Sequence, residues 1–541
     1  MRNLINQFRP ALTGCLFAAV LLGLSVSTQA AEIVRDGTLY PSEPIAVGNF
    51  GTDIALFNDT VVVGNWIEER AYVYRRTGGV WSEQHKFVNT GSSVEFGNAV
   101  AVHGDWMAIA ARQGVRYTNN SGGVPIGVSQ AGAVKLHKRD LSGQWNFEAE
   151  IGSPIPVIGG QYGNAVALTS NRLAITQLYK RDAVNSGTVH LYEPSSSGGW
   201  SLEASKLPFN PTNNSEFGFA VGLARSGDRV VVGAPKEYSS SSNVNSTPIY
   251  NKPGAGAAYI YRREVTANPV PATNWVQEAY LKASNPDQND WFGYAVAVDE
   301  TGDTVVVGAH NEDGNFSGVN GGQGNNGGSL TFDRGAAYVF ARTPGTTNWS
   351  QVAYLKPFGI NTNSAGLDYF GWSTAISGDT ILVGAYNGTR DATYVFARSN
   401  GVWTTRQRLT NSGPASVGFG YAVAIEGNVA AISAQRDSTG ANRAGAAFVY
   451  SGFAAAPPLP NPTVVFQSGG AAVDLTFYGT PGQQYLLQRP PRPIRQPQAH
   501  RRTPRLGRQP QLHLGPHHRR NPRRRRFQSL LQRRTHQLYQ R

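Results

Sequence analysis

A Phe-Gly or Tyr-Gly pair, each followed by a stretch of alternating small and apolar residues, recurs seven times: Phe50-Gly51, Phe96-Gly97, Tyr162-Gly163, Phe217-Gly218, Phe292-Gly293, Phe370-Gly371 and Phe419-Gly420. Such a repeat constrains the fold more than any single element does, because one unit can bury its apolar face only against its neighbours. The fifth copy shows the full unit. FGYAVAV (292–298) is followed by a turn at Gly302-Asp303, TVVVGA (304–309), a long polar loop, GAAYVFAR (335–342), a short turn and WSQVAYL (349–355). Each unit therefore carries four strand signals.

The first strand alternates with period two, Ala295 and Ala297 on one face and Tyr294, Val296 and Val298 on the other, which suits an innermost strand where packing is closest. The second is a continuous apolar run, as expected where both faces are covered. Tight turns at Asn58-Asp59, Gly104-Asp105, Gly227-Asp228 and Gly378-Asp379 set the register of the hairpin between them. Four strands per unit and a count of seven predict an all-β fold, a seven-bladed β-propeller of four-stranded antiparallel blades over residues 32–452. The fourth strand begins with Trp81, Trp145, Trp200, Trp275, Trp349 and Trp403, six times for seven first strands. Residues 33–40 (IVRDGTLY) are thus expected to complete the seventh blade and close the ring, removing the edges an open array would expose.

The ends of the chain differ from this body. Residues 1–31 read as a signal peptide, with Arg2 and Arg9 ahead of an apolar stretch from Leu16 to Leu24 and a small-residue cleavage site at Thr28-Gln29-Ala30. Export to the extracellular space or cell envelope follows as an expectation, with no transmembrane segment left after cleavage. Cys15, the sole cysteine, falls in this segment, so the mature body relies on packing rather than disulfides. AAAPPLPNP marks a linker at 453–462, and 463–488 looks like the opening strands of a small, truncated β-domain. Residues 489–541 hold 16 Arg and no Lys, Asp or Glu, a composition expected to be disordered. This tail reads either as an arm for polyanions or as out-of-frame sequence. It accounts for the basic balance of the chain, 48 Lys plus Arg against 35 acids, and leaves a mildly acidic body with no nucleic-acid signature.

With these residues in view, the chain resembles the FG-GAP family, the repeat of the integrin α-subunit propeller and of many secreted bacterial proteins. Phe217-Gly218 with Gly233-Ala234-Pro235 matches the motif in full, and blades 5 and 6 carry Gly308-Ala309-His310 and Gly384-Ala385-Tyr386. The resemblance spans about residues 45–450 and implies a binding or adhesion module for an extracellular protein or polysaccharide. Integrin-type repeats often hold calcium in a D-x-D-x-D-G-x-x-D loop, and the hairpins here are too short for one. Asp228, Asp303 and Asp379 are read as turn residues, and no cofactor or metal is expected.

Long loops join the second and third strands in blade 2 (112–131), blade 4 (236–255) and blade 5 (310–334). Those of the adjacent blades 4 and 5 form the site expected from sequence: Tyr238, Tyr250 and Phe316 for stacking, and Asn311, Glu312, Asp313 and Asn315 for polar contacts. Flexible insertions without a ligand are the alternative, and Glu312 to Asn315 as a calcium loop a lesser one. No catalytic constellation is evident, and the five His of the body stand at bland positions, so the chain is read as a non-enzyme. A structural envelope protein and a secreted hydrolase with a site in the central channel are the competing readings.

Overall fold

The computed structural model describes residues 32–453 apart from short loop segments (91–93, 120–124, 180–184, 197, 267–271, 315, 324–333, 360–367, 387–390 and 412–417), and beyond them only four short strands. The expected linker apart from Phe453, the Arg-rich tail, Asn315 and nearly all of the expected signal peptide lie outside the described residues.

Seven four-stranded antiparallel blades follow one another along the chain, with second strands such as Arg229–Ala234, Thr304–Ala309 and Thr380–Ala385 buried along their whole length. The core lies between blades. One cluster joins Val231, Ile260 and Ala279 of blade 4 to Phe292, Val305 and Tyr338 of blade 5, and another joins blades 6 and 7. The seventh blade is completed from the other end of the body. Val34–Leu39 pairs antiparallel with Ala446–Ser451, Thr38 opposite Phe448 and Leu39 opposite Ala447. Leu39 is buried in the cluster joining blade 7 to Phe50 and Ile54 of blade 1, so the ring closes as expected from the missing Trp strand.

The repeat motif has a geometric cause. Each motif glycine adopts φ between +86° and +97°, a region that side chains avoid. Blades 2, 3 and 7 carry Ala110, Thr176 and Ser433 at the facing second-strand position, but in blades 1, 4 and 5 the motif N–H donates to the carbonyl of a second-strand Gly of its own blade, at 3.0 Å for Gly51 on Gly64 and Gly293 on Gly308 and 2.9 Å for Gly218 on Gly233. That second-strand Gly in turn faces the next blade: a Cβ on Gly308 would lie 2.1 Å from the carbonyl oxygen of Gly371. The two glycines thus set the spacing between neighbouring blades. The aromatic partner is fully buried, with Phe292 edge-on to Tyr338 and Phe370 edge-on to Tyr394, each at 5.3 Å.

In blades 1, 4 and 5 the first strand begins only at Ile54, Val221 and Ala295, three or four residues past the motif aromatic, because the chain first makes a turn there. Tyr294 N–H donates to Trp291 carbonyl at 3.1 Å, and the same link recurs in Phe219 to Glu216 and Trp372 to Tyr369. Beyond the propeller, Val465–Gly469 pairs with Ala472–Thr476 as a hairpin. A separate unit of residues 1–27 and 485–541 shows, in its described part, Val26–Ser27 paired with Leu486–Leu487. Among the described residues no helix is long and apolar enough to cross a membrane.

Candidate functional site

Because the turn after each motif aromatic points inward, the residue following each Phe-Gly or Tyr-Gly lines the central channel. The ring reads Thr52, Asn98, Asn164, Phe219, Tyr294, Trp372 and Tyr421, polar in blades 1 to 3 and aromatic in blades 4 to 7. It encloses a cavity of about 380 Å³ open at the loop face. On the polar side, Arg112 pairs with Glu95 and donates to Asn164 Oδ1 at 3.2 Å. Asp53 accepts from the backbone N–H of Val100 at 2.8 Å and of Ile54 at 2.9 Å. Burial nonetheless raises its carboxyl to about 7, because the loss of water outweighs those two bonds.

On the aromatic side the ring continues outward into a second cavity of about 370 Å³, lined by Trp291, His310, Asn311, Tyr369, Trp372, Tyr386 and Arg436. Trp372 meets Tyr294 at 4.9 Å, Tyr386 at 5.0 Å and Tyr421 at 5.6 Å between ring centroids. The Arg436 guanidinium lies 5.4 Å over the Tyr386 ring. His310 is the buried hub of this wall, 4.1 Å from Tyr294, and burial pushes its imidazole down to about 3, so it packs as a neutral ring. The lining aromatics other than His310 remain partly exposed. An array of ring faces with one open side can hold a ligand by stacking, with Asn311 and Arg436 supplying direction.

The residues expected from sequence are divided. Asn311 does line the aromatic cavity. Tyr238, Tyr250 and Phe316 are exposed on the long loops, and Phe316 lies against Gly321 and Gly322. Glu312 and Asp313 are buried. Glu312 pairs with Lys356 and accepts from Tyr354 Oη and Asn285 Nδ2, each at 2.8 Å. Blade 4 repeats the arrangement, with Glu237 on Lys282 at 3.0 Å and both side chains fully buried.

In their described parts these loops are stitched to their own blades. Asn320 exchanges two hydrogen bonds with the backbone of Tyr354, N to O at 2.8 Å and Tyr354 N to Oδ1 at 2.9 Å, while Gly318–Val319 adds a fifth strand to Trp349–Lys356. Asn245 does the same to Tyr280, both bonds at 2.8 Å. Each loop covers the outer edge of its blade, one of the ways sheet edges are kept from pairing with another chain. In blade 2 the loop carries its own hairpin, Arg116–Asn119 with Pro125–Val128.

The hairpin carboxylates are likewise occupied. Asp303 pairs with Arg342, and Asp379 with Arg398 at 2.7 Å. Among the described residues no group of three or more His, Cys, Asp or Glu is placed to hold a metal ion.

The family model described as FG-GAP repeat matches residues 275–340, 349–396 and 403–450. No curated protein matches the chain. Among solved structures it is similar to a protein from Lactobacillus plantarum (14% identity, covering 66% of this chain and 84% of that one, TM-score 0.39). It is also similar to U3-55K (9% identity, 79% and 100% coverage, TM-score 0.44) and to Sqt1 from Saccharomyces cerevisiae (9% identity, 77% and 99% coverage, TM-score 0.39). The matched repeats fall on blades 4 to 7, and the same Phe-Gly geometry recurs in blades 1 to 3. The chain thus carries FG-GAP repeats over blades 4 to 7 and folds as a seven-bladed β-propeller.

Proposed function

We propose that this propeller is an extracellular binding module for a protein or carbohydrate ligand, and that it takes its ligand at the loop-face mouth of the channel. The observation that carries this reading is the convergence of Trp291, Tyr294, Tyr369, Trp372, Tyr386 and Tyr421 on one partly exposed wall. Burying aromatic rings is favourable, so a wall of them left partly open to solvent beside a guanidinium is costly unless something covers it. The amino-terminal segment read as an export signal supports an extracellular or envelope location. A catalytic reading would place its chemistry in the channel, where Asp299, Glu300 and Glu426 at the hairpin end are engaged by Thr301, Ser377 and Arg225, and where Asp53 is the one carboxylate lining the loop-face cavity. General acid–base work there would call for a second positioned group. His137, pushed down to about 4 by burial, packs between Phe87 and Phe147 as His310 packs in the mouth, which favours structural roles for both.

Glycan and matrix-protein arrays probed with the mature protein test this reading. Trp372→Ala should abolish the captured signal with an unchanged unfolding midpoint, whereas Phe316→Ala should leave the signal intact. Retention of binding by Trp372→Ala together with loss in Phe316→Ala would move the site to the long loops. Arrays without a signal would favour a purely structural role in the envelope.

A further inference from the structure

We infer that the aromatic cavity of blades 5 to 7 accepts an acidic saccharide, a pyranose ring bearing a carboxylate. This rests on the reading of the mouth as a binding site and names its ligand class. Four ring faces, Trp291, Tyr369, Trp372 and Tyr386, bound a volume of about 370 Å³. That is within the range of small-molecule sites, roughly 300 to 1,000 Å³. Flat faces of this kind match the C–H face of a sugar ring, and Asn311 offers an amide to its hydroxyls.

Charge narrows the class further. Arg436 is the one charged side chain among the lining residues, since the His310 ring is neutral. Asp391, a carboxylate whose charge acts on Tyr386, accepts from the backbone N–H of Gly418. An aromatic box can also hold a quaternary ammonium ion, but a guanidinium at its wall repels one. The same guanidinium presents a planar fork of donors that fits a carboxylate.

A peptide is the less suited occupant. Extended peptides add to a sheet edge, and the mouth presents the ends of strands whose edges are paired within blades.

The test is titration of the mature protein with tetragalacturonate, cellotetraose as its neutral counterpart, and an acidic aromatic peptide, read by calorimetry and by tryptophan fluorescence at low and high salt. Tetragalacturonate should bind most tightly and weaken with salt. Arg436→Met should weaken it about tenfold or more, the scale of a charge-assisted hydrogen bond, while changing the neutral sugar little. Trp372→Ala should remove both, and an unchanged unfolding midpoint shows that each variant is folded. Equal affinity for the two sugars, or no effect of Arg436→Met on tetragalacturonate, overturns the acidic assignment. Peptide binding without sugar binding overturns the saccharide class but leaves the mouth as a binding site. No fluorescence response to any of the three overturns both.

Discussion

Glu312 offers a direct test of whether the blade 5 loop is scaffold or ligand surface. Its carboxylate and the Lys356 ammonium are both essentially shielded from water, at 0% and 1% side-chain exposure. Removing one partner of such a pair leaves the other charged and unsatisfied, which costs about 3 to 5 kcal/mol. Glu312→Ala also strips the acceptor from Tyr354 Oη and Asn285 Nδ2, so the upper end of that range is expected. Replacing both partners, Glu312→Leu with Lys356→Met, removes desolvation and attraction together and should recover most of the loss. Because one blade can open before the whole ring, hydrogen exchange of the Trp349–Lys356 strand is the sharper assay, with urea unfolding alongside. The reasoning is refuted if Glu312→Ala leaves exchange and the urea midpoint unchanged while abolishing ligand capture. That outcome would make Glu312 a ligand contact.

Two further outcomes follow from the closure and the channel. Leu39→Ala empties a buried site between blades 7 and 1 and should cost about 2 to 5 kcal/mol, with new proteolytic cleavage at residues 32–39 as the readout; protection equal to wild type would mean the strand does not hold the ring. Asp53, raised to about 7, keeps a proton in the folded state that the unfolded chain releases near 4. The stability it contributes is present below that lower value and is lost as pH rises through about 7, so Asp53→Asn should flatten this decline in unfolding midpoints measured from pH 4 to 8, and a decline identical in the variant would sink the assignment.

The fold was legible because its determinants are local and repeated. Phe-Gly or Tyr-Gly recurs once per blade with its glycine at positive φ, and in blades 1, 4, 5 and 6 a second-strand Gly lies too close to the next blade for a Cβ. A missing Trp strand likewise pointed to residues 33–40 as the closing strand. The candidate site was legible only in part, since loop length drew attention to blades 4 and 5. Polar residues in a long loop read the same whether they face a ligand or stitch the loop to its own blade. Glu312 and Asn320 do the second, and nothing local to their sequence distinguishes burial against Lys356 and Tyr354 from exposure.

The channel mouth gives a different signal, visible only when the seven copies are superposed. The position after the motif glycine projects into the channel in every blade, and its partners differ from blade to blade: Asn98 accepts from the Arg112 backbone, Tyr294 packs on His310 and Trp372 on Tyr386. The residues vary by sector, Thr, Asn and Asn, then Phe, Tyr, Trp and Tyr, and the two asparagines clip onto the next blade, Asn98 donating to Gly163 carbonyl at 3.0 Å and Asn164 to Phe219 carbonyl at 2.9 Å. Clipping one blade to the next accounts for the two asparagines but not for four rings left partly exposed. A requirement placed on one side of the mouth, such as a ligand seated off-axis against blades 5 to 7, accounts for the asymmetry.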